Sequence, residues 1–256
     1  MQSKIPFLSD FAYEHSIEIL ALTESHLSQD TMDSEISISG YNIHRSDRVD
    51  RSHGGAIIYI KDDLSCKILI EYSHTFCSSL VIHIMDYDSI IGLVYRPPNC
   101  QTQSFNNCLS TIIKSWSNLE TPTPNLILTG DFNLPKVTWS DGKVLPGNTS
   151  ADQTQAKLLL HMKEIFFLEQ YINIPTRGQN ILDLAFVNNH EMFTHMEISP
   201  TIFTDHKLIT IRMNLKRHVE EETIADNDRL NIPILSSLNF YMADWDSINT
   251  AIQQIN

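Results

Sequence analysis

Short apolar segments rich in isoleucine, leucine and valine recur along the chain, and each is bounded by Asn, Asp, Ser, Gly or Pro. This pattern is typical of β-strands that end in turns. It predicts strands over residues 17–22, 55–60, 80–84, 90–94, 126–129, 182–187 and 208–213. Seven strands imply one or two sheets.

Three longer stretches between these segments place apolar residues at helical spacing. They cover residues 7–15, 104–116 and 152–165, and they predict three helices. Asp152 is expected to cap the third helix, because its carboxylate can accept hydrogen bonds from the free N–H groups of the first turn. Strands with a few interleaved helices favour a layered α/β sandwich with the helices outside.

The pattern of apolar segments ends near residue 215. Acidic and polar residues follow, which predicts a solvated linker. Further on, the segment 240–245 and the residues Ile248, Ile252 and Ile255 predict a short amphipathic helix that needs a partner surface. We therefore predict one domain over residues 1–215, followed by a linker and tail over 216–256.

Composition narrows the possible functions. The sequence contains no apolar run long enough for a membrane span or a secretory signal, so we expect an intracellular protein. The four cysteines lack the close pairing of zinc sites and are expected to be reduced. The net charge of −13 argues against a broad nonspecific grip on nucleic acid. Any contact with DNA must therefore be local and helped by a bound cation.

Several catalytic classes lack their motifs in this chain. The eleven histidines form no zinc-binding H-E-x-x-H or H-x-x-x-H pattern. The pair Gly54 and Gly55 is not followed by the G-K-[ST] ending of a phosphate-binding loop, and it predicts a turn before a strand. The G-x-S-x-G motif of a serine hydrolase is also absent.

Polar residues that could carry chemistry lie at strand ends, where a rigid scaffold holds loops in place. In Gly-Asp-Phe-Asn, period-two geometry would send Asp131 and Asn133 to one side and Phe132 into the core, if the strand continues. Asp183 lies within an apolar strand, and a buried carboxylate is costly without a partner. His206 is the natural candidate for the partner of Asp183. The full set of candidates is Glu24, Tyr95, Arg96, Asp131, Asn133, Asp183, Asp205 and His206.

Each of these residues also has a structural interpretation. Glu24 alone would usually be a solvated loop residue, Tyr95 could simply cap the core, and Asp131 with Asn133 could form an ordinary Asx turn. Taken together, they form the set that a phosphodiester hydrolase needs.

Each candidate can be given a role in phosphodiester hydrolysis. Glu24 and Asp205 supply hard oxygen ligands for Mg²⁺, with Mn²⁺ as an alternative. Tyr95, Arg96 and Asn133 could contact phosphate oxygens. Asp131 could orient or deprotonate the attacking water. His206, held in one tautomer by Asp183, could act either as base or as a cationic stabiliser, and the sequence does not decide between Asp131 and His206 as base.

The ordered motifs Thr-Glu-Ser, Tyr-Arg-Pro-Pro, Gly-Asp-Phe-Asn, Pro-Thr-Arg, Leu-Asp-Leu and Thr-Asp-His resemble the endonuclease domain of non-LTR (LINE-type) retrotransposons. That family is related to apurinic endonucleases and deoxyribonuclease I. The resemblance covers residues 4–215. It implies a four-layer α/β sandwich of two packed, mostly antiparallel sheets with helices outside. It also implies Mg²⁺-dependent nicking of DNA in the nucleus, which primes reverse transcription.

The resemblance implies the same catalytic and metal-binding roles that the residue types suggest. It assigns them to Glu24, Tyr95, Asp131 with Asn133, Asp183, and the pair Asp205 and His206. It also makes the tail similar to the connector that precedes a reverse transcriptase, which would then be a partner module.

One departure from the family pattern affects the expected activity. Family members begin with a strand that ends in an Asn near the metal site, and that strand is expected to be missing here, which would open a sheet edge beside Glu24. Two alternatives to a nuclease therefore stay open. One is an inactive, retrotransposon-derived binding module, and the other is a phosphatase or phosphodiesterase of the same superfamily.

Overall fold

The computed structural model describes residues 1–48, 54–74, 76–119, 124–140, 143–145, 150–201 and 204–217. The chain divides into two compact units, Met1–Asn214 and Leu215–Asn256. All strands and helices of the described residues belong to the first unit. The helix predicted in the tail lies outside the described residues, and the roles predicted for the two parts of the chain stay predictions.

Three α-helices and thirteen strands form within the described residues. The helices are α1 (Ile5–Glu14), α2 (Thr102–Ser117) and α3 (Ser150–Ile165). The strands are β1 (Ile19–Thr23), β2 (Tyr41–Ser46), β3 (Ala56–Lys61), β4 (Cys66–His74), β5 (Cys77–Ile84), β6 (Ser89–Tyr95), β7 (Asn125–Asp131), β8 (Thr138–Ser140), β9 (Lys143–Leu145), β10 (Glu169–Gln170), β11 (Asp183–Val187), β12 (Phe193–Ser199) and β13 (Leu208–Met213). Among the described residues, no helix has both the length and the apolar character that a membrane crossing demands.

Two sheets carry most of the strands. The larger sheet has six strands in the order β10-β11-β7-β6-β5-β4, and the smaller has three in the order β1-β3-β2. Strands β6 and β7 are parallel, joined by α2, whereas the other pairs in both sheets are antiparallel. Two further pairs, β12-β13 and β8-β9, form short ribbons. In the described part of the chain, β1 pairs on one side only, with β3.

The smaller sheet separates α1 from the larger sheet. Alternate side chains of a strand point to opposite faces, so β3 can pack in both directions. Ile57 and Tyr59 pack with Leu8 of α1, whereas Ile58 and Ile60 belong to the core between the two sheets. All four β3 side chains are fully buried.

Helices α2 and α3 cover the other face of the larger sheet. Phe105 and Trp116 of α2 and Leu159 of α3 form one core with Val81 of β5 and Val94 of β6. The order of layers is therefore α1, the three-stranded sheet, the six-stranded sheet, and α2 with α3. This arrangement confirms the predicted four-layer α/β sandwich.

The seven predicted strands and the three helices predicted before residue 215 all form, with ends shifted by at most three residues. Strands β2, β4, β8, β9, β10 and β12 were not predicted. They are either only two or three residues long or mix polar residues with apolar ones, so they lack the long apolar run of a strand that is buried on both faces. The predicted cap at Asp152 is wrong: α3 begins at Ser150, so Asp152 lies inside the first turn. The four cysteines are free thiols, as predicted.

Gly130 allows β7 to lie close to β6, and this close approach positions the next residue, Asp131, at the end of the strand. Its φ is +135°, and a Cβ at this position would lie 2.0 Å from the carbonyl oxygen of Val94. Val94 is its direct partner in the parallel pairing of β6 with β7. A side chain here would therefore push apart the two central strands of the larger sheet.

We expect Gly130→Ala to lower the free energy of unfolding by about 3 kcal/mol or more, because it combines an unfavourable φ with a backbone clash. Gly40→Ala is the matched control: Gly40 also has a positive φ, +79°, but a Cβ added there would meet no atom within 4 Å. The control should lose only about 1–2 kcal/mol. Urea denaturation measures both, and equal losses would contradict this explanation.

Candidate active site

Three adjacent strands bring Tyr95, Asp131 and Asp183 side by side. Asp131 is the last residue of β7, and in the sheet it pairs with Tyr95 at the end of β6 and with Asp183 at the start of β11. Asp131 is fully buried. The sheet register therefore fixes the spacing of these side chains before any loop contributes.

His206 completes a carboxylate–imidazole–carboxylate cluster. Its Nδ1 lies 2.8 Å from Oδ2 of Asp183, and its Nε2 lies 3.9 Å from Oδ2 of Asp131. The predicted partnership of Asp183 with His206 is confirmed. Because Asp183 can only accept when ionised, the imidazole donates from Nδ1 and turns Nε2 toward Asp131.

Asn133 lies in a tight turn directly after β7. Its φ is +48°, so the chain leaves the extended conformation there, and the conditional prediction of a continued strand is wrong. Asparagine tolerates this left-handed region better than most residues. The backbone N–H of Asn133 donates to Oδ1 of Asp131 at 3.0 Å. Phe132 between them is fully buried in the core, as predicted.

Arg96 stabilises this turn through a side-chain hydrogen bond. Its side chain is buried, and its Nη1 donates to the carbonyl oxygen of Asn133 at 2.7 Å. Its guanidinium also lies over the ring of Phe105, 5.5 Å from the centroid, and its backbone N–H donates to the carbonyl of Asp131. The phosphate-binding role predicted for Arg96 stays a prediction, and its observed contacts are those of a support for Asp131 and Asn133.

Glu24 and Tyr95 meet on the opposite side of the cluster. The Tyr95 hydroxyl donates to Oε1 of Glu24 at 3.2 Å. Glu24 has a φ of +53°, which is strained for a glutamate and fits a functional position. Burial, followed by the charge of Glu24, raises the pKa of Tyr95, so the phenol stays protonated and able to donate.

The glycine pair before β3 gives Tyr95 and Arg48 room to approach. A Cβ on Gly54 would lie 2.5 Å from the Tyr95 ring and 2.4 Å from the Arg48 side chain, which is buried. The charge of Arg48 acts on the Tyr95 phenol. Arg48 was not among the predicted site residues, because only the folded chain brings it next to Tyr95.

Asp205 lies at the exposed rim of the site. Its Oδ2 accepts a hydrogen bond from Nε of Arg177 at 2.7 Å. Desolvation alone would raise the pKa of Asp205, but the hydrogen bond and charge of Arg177, together with the charge of His206, outweigh it and lower that pKa. Sequence reasoning gave Arg177 no role, although it lies in the Pro-Thr-Arg motif.

Thr176 is a second residue of that motif with an unforeseen contribution. Its fully buried hydroxyl accepts from the backbone N–H groups of Leu182 and Asp183, both at 3.1 Å. Its carbonyl accepts from the N–H of Lys207 at 2.8 Å. Thr176 thereby fixes the strand that carries Asp183 against the segment that carries His206.

Burial and crowding of carboxylates dominate the electrostatics. Burial raises the pKa of Asp131 to about 7, with further increases from the charges of Asp183 and Glu24 and a partial decrease from His206. For His206, burial alone would lower the pKa. The hydrogen bond and charge of Asp183 outweigh that effect, so the pKa of His206 is raised. Asp183 therefore stabilises the protonated form of the His206 imidazole.

Three buried side-chain atoms of the predicted site residues have no hydrogen-bond partner among the described residues. They are Oδ2 of Asp131, Nδ2 of Asn133 and Nε2 of His206. Buried polar atoms are nearly always satisfied, and unpaired ones at a cluster indicate where a water, ion or substrate binds. This grouping marks the centre of the candidate site.

The same cluster could hold a metal ion. Asp131, Asp183 and His206 each offer a ligand atom, and these atoms lie within 4.8 Å of one another. A cation would relieve the repulsion that raises the pKa of Asp131. The predicted ligands Glu24 and Asp205 are not part of this grouping of the described residues, and their role as ligands stays a prediction.

The chain is similar to one known protein family. Residues 90–210 match the family model described as endonuclease-reverse transcriptase. A comparison with curated protein sequences gave no significant match.

Solved structures match most of the chain. The endonuclease domain of TRAS1, a telomere-specific non-LTR retrotransposon, matches with a TM-score of 0.56 and 16% identity, covering 82% of this chain and 91% of that one. The AP endonuclease of Leishmania major matches with a TM-score of 0.56 and 15% identity, covering 83% and 82%. An AP endonuclease of Archaeoglobus fulgidus matches with a TM-score of 0.57 and 14% identity, covering 83% and 95%.

Together, the fold and the structural matches identify a domain with the endonuclease/exonuclease/phosphatase fold. The family match over residues 90–210 and the TRAS1 likeness confirm the resemblance to endonuclease domains of non-LTR retrotransposons. The matched segment contains Tyr95, Asp131, Asp183 and His206.

The raised pKa of Asp131 predicts a dependence of stability on pH. In the unfolded chain Asp131 ionises near pH 4, whereas in the folded chain it resists ionisation up to about pH 7. This group therefore contributes no penalty below pH 4, and it progressively destabilises the fold as the pH rises toward 7. Asp131→Asn removes that penalty, so without metal it should be more stable than the wild type at pH 8.

We expect the gain at pH 8 in EDTA to be on the order of 2–4 kcal/mol, and to disappear near pH 4. Thermal or urea unfolding across that pH range measures it. Asp10→Asn, at an exposed position of α1, is the control and should change stability little at any pH. A gain that is the same at pH 4 and pH 8 would contradict burial of a charged Asp131.

Proposed function

We propose that this chain is a Mg²⁺-dependent phosphodiester hydrolase that nicks DNA, as in target-primed retrotransposition. The observation that carries the proposal is that Asp131 and His206, which lie side by side, and the adjoining Asn133 each have a buried polar atom without a hydrogen-bond partner, while Tyr95 beside Asp131 binds Glu24. The family match and the fold support hydrolysis of phosphate esters. The name of the matched family supports DNA as substrate and a reverse transcriptase module as partner.

The residues fit a divalent cation of the magnesium type. Glu24 and Asp205, with Asp131 nearby, supply the carboxylate oxygens that Mg²⁺ prefers, and an exposed rim leaves room for the waters that it retains. When bound, such an ion neutralises charge on the phosphate and on the leaving oxygen.

Asp131 is the better general base in this arrangement. Its raised pKa of about 7 suits proton abstraction near neutral pH, and its Oδ2 is unpaired in the described structure. Asp183 raises the pKa of His206 and so favours its cationic form, which would stabilise negative charge on the phosphate. The choice left open by the sequence thus favours Asp131.

Two neutral donors complete the proposed site. Nδ2 of Asn133 can donate to a phosphate oxygen as negative charge develops, and the hydroxyl of Tyr95 can do so when its single O–H turns from Glu24 to the phosphate. The turn held by Arg96 fixes Asn133, and Glu24 holds Tyr95. Such preorganised donors cost little reorganisation during the reaction.

The charge of the chain restricts how DNA could bind. With a net charge of −13, contacts must concentrate near the cation and the few arginines at the site. A DNA-nicking role also implies that the protein acts in the nucleus.

Plasmid nicking tests the proposal. Wild-type protein with Mg²⁺ should convert supercoiled plasmid to open circles and should be inactive in EDTA. Asp131→Asn, Asn133→Ala and His206→Ala should each reduce the rate by roughly 10²- to 10⁴-fold, because each removes a group that acts in the transition state. His161→Ala, at an exposed position of α3, is the control and should keep full activity.

The products distinguish the alternatives. Nicks that a DNA polymerase can extend would carry the 3′-hydroxyl that priming requires. Intact plasmid together with phosphate released from inositol phosphates would replace the nuclease with a phosphatase. Intact plasmid and no Mg²⁺ binding would indicate an inactive binding module.

A further inference from the structure

Arg177 is fixed at the rim of the site by backbone contacts. It lies at the start of the turn from Arg177 to Asn180, and its backbone forms β-bridges with Asn180 and His206. Its Nε donates to Oδ2 of Asp205. The backbone of Arg177 is thus fixed by the β-bridges, and its guanidinium is fixed by the Asp205 carboxylate.

The position of Arg177 places its charge at the catalytic cluster. The charges of Glu24 and Asp131 both act on its guanidinium. Arg48 and Arg96, the other two arginines beside these residues, are buried. The Arg177 side chain is 37% exposed. Of these three arginines, Arg177 is therefore the one that an external phosphate can reach.

The bond to Asp205 leaves part of the guanidinium available. That bond uses Nε, and no other described residue accepts a hydrogen bond from its terminal nitrogens. A guanidinium presents five N–H groups in a planar fork that matches phosphate oxygens. Asp205 orients the fork through one edge and leaves the other edge toward solvent.

We propose that Arg177 binds a backbone phosphate of the DNA substrate through its terminal nitrogens, with Asp205 holding the guanidinium in place. This inference rests on the proposed nuclease function. It supplies a local cationic contact at the exposed rim of an acidic chain. The alternative is that Arg177 only stabilises the fold by pairing with Asp205.

The salt dependence of binding separates these roles. Each phosphate neutralised by a cation contributes about 0.9 to the slope of log affinity against log salt. Arg177→Gln should lower the affinity for a labelled duplex roughly tenfold and reduce the slope by about 0.9. Arg177→Lys, which keeps the charge, should retain the slope. Fluorescence anisotropy with the full chain, in EDTA and separately in Ca²⁺, measures both quantities.

Two further variants serve as controls. Arg212→Gln removes the same charge from an exposed position of β13 and should leave the slope unchanged. Asp205→Asn removes the carboxylate that orients the guanidinium but keeps the charge of Arg177, so in EDTA it should weaken the affinity less than Arg177→Gln does. Thermal unfolding of every variant records any loss of stability separately.

The outcomes bear differently on the two proposals. A wild-type slope in Arg177→Gln, or a reduced slope in Arg177→Lys equal to that in Arg177→Gln, overturns the phosphate contact and leaves the nuclease intact. Absence of duplex binding and nicking by the wild type overturns the proposed function, and this inference with it.

Discussion

The burial of the Asp131 carboxylate is the constraint on which the rest of the site depends. Asp131 ends the central strand β7, fully buried, with Tyr95 and Asp183 beside it in the sheet. A buried carboxylate next to another carboxylate is costly unless hydrogen bonds or cations compensate. His206 and the backbone N–H of Asn133 supply part of that compensation. The pKa of Asp131 is still raised, which shows that they do not fully offset the cost of the buried charge.

Several supports act through the backbone around Asp131. Gly130 lets β7 approach β6, and Arg96 binds both the Asp131 and the Asn133 carbonyls. Thr176 fixes the start of β11 to the segment that carries His206. These contacts explain how loops from distant parts of the sequence can hold catalytic groups within a few ångströms.

The sequence predicted the parts of the fold whose signal is local. Strands such as β5, β6 and β7 are buried on both faces, so their dense apolar runs are visible in the sequence. The partnership of Asp183 with His206 was predictable, because an isolated carboxylate in an apolar strand requires a partner.

Other features depend on tertiary approach and gave no sequence signal. The inward orientation of Arg96, the packing of Arg48 on Tyr95 across Gly54, and the ion pair of Arg177 with Asp205 each join segments that are distant along the chain.

Proton release on Mg²⁺ binding tests the central claim most directly. If a cation binds beside a buried Asp131 with a pKa of about 7, binding at pH 6.5 must displace its proton, whereas at pH 8.5 that proton is already gone. Calorimetry in buffers of different ionisation enthalpy counts the protons released. The account predicts that the wild type releases up to about one proton more than Asp131→Asn at pH 6.5, and that this difference disappears at pH 8.5. Mg²⁺ binding with equal proton release from both proteins at pH 6.5, or no Mg²⁺ binding at all, would contradict it.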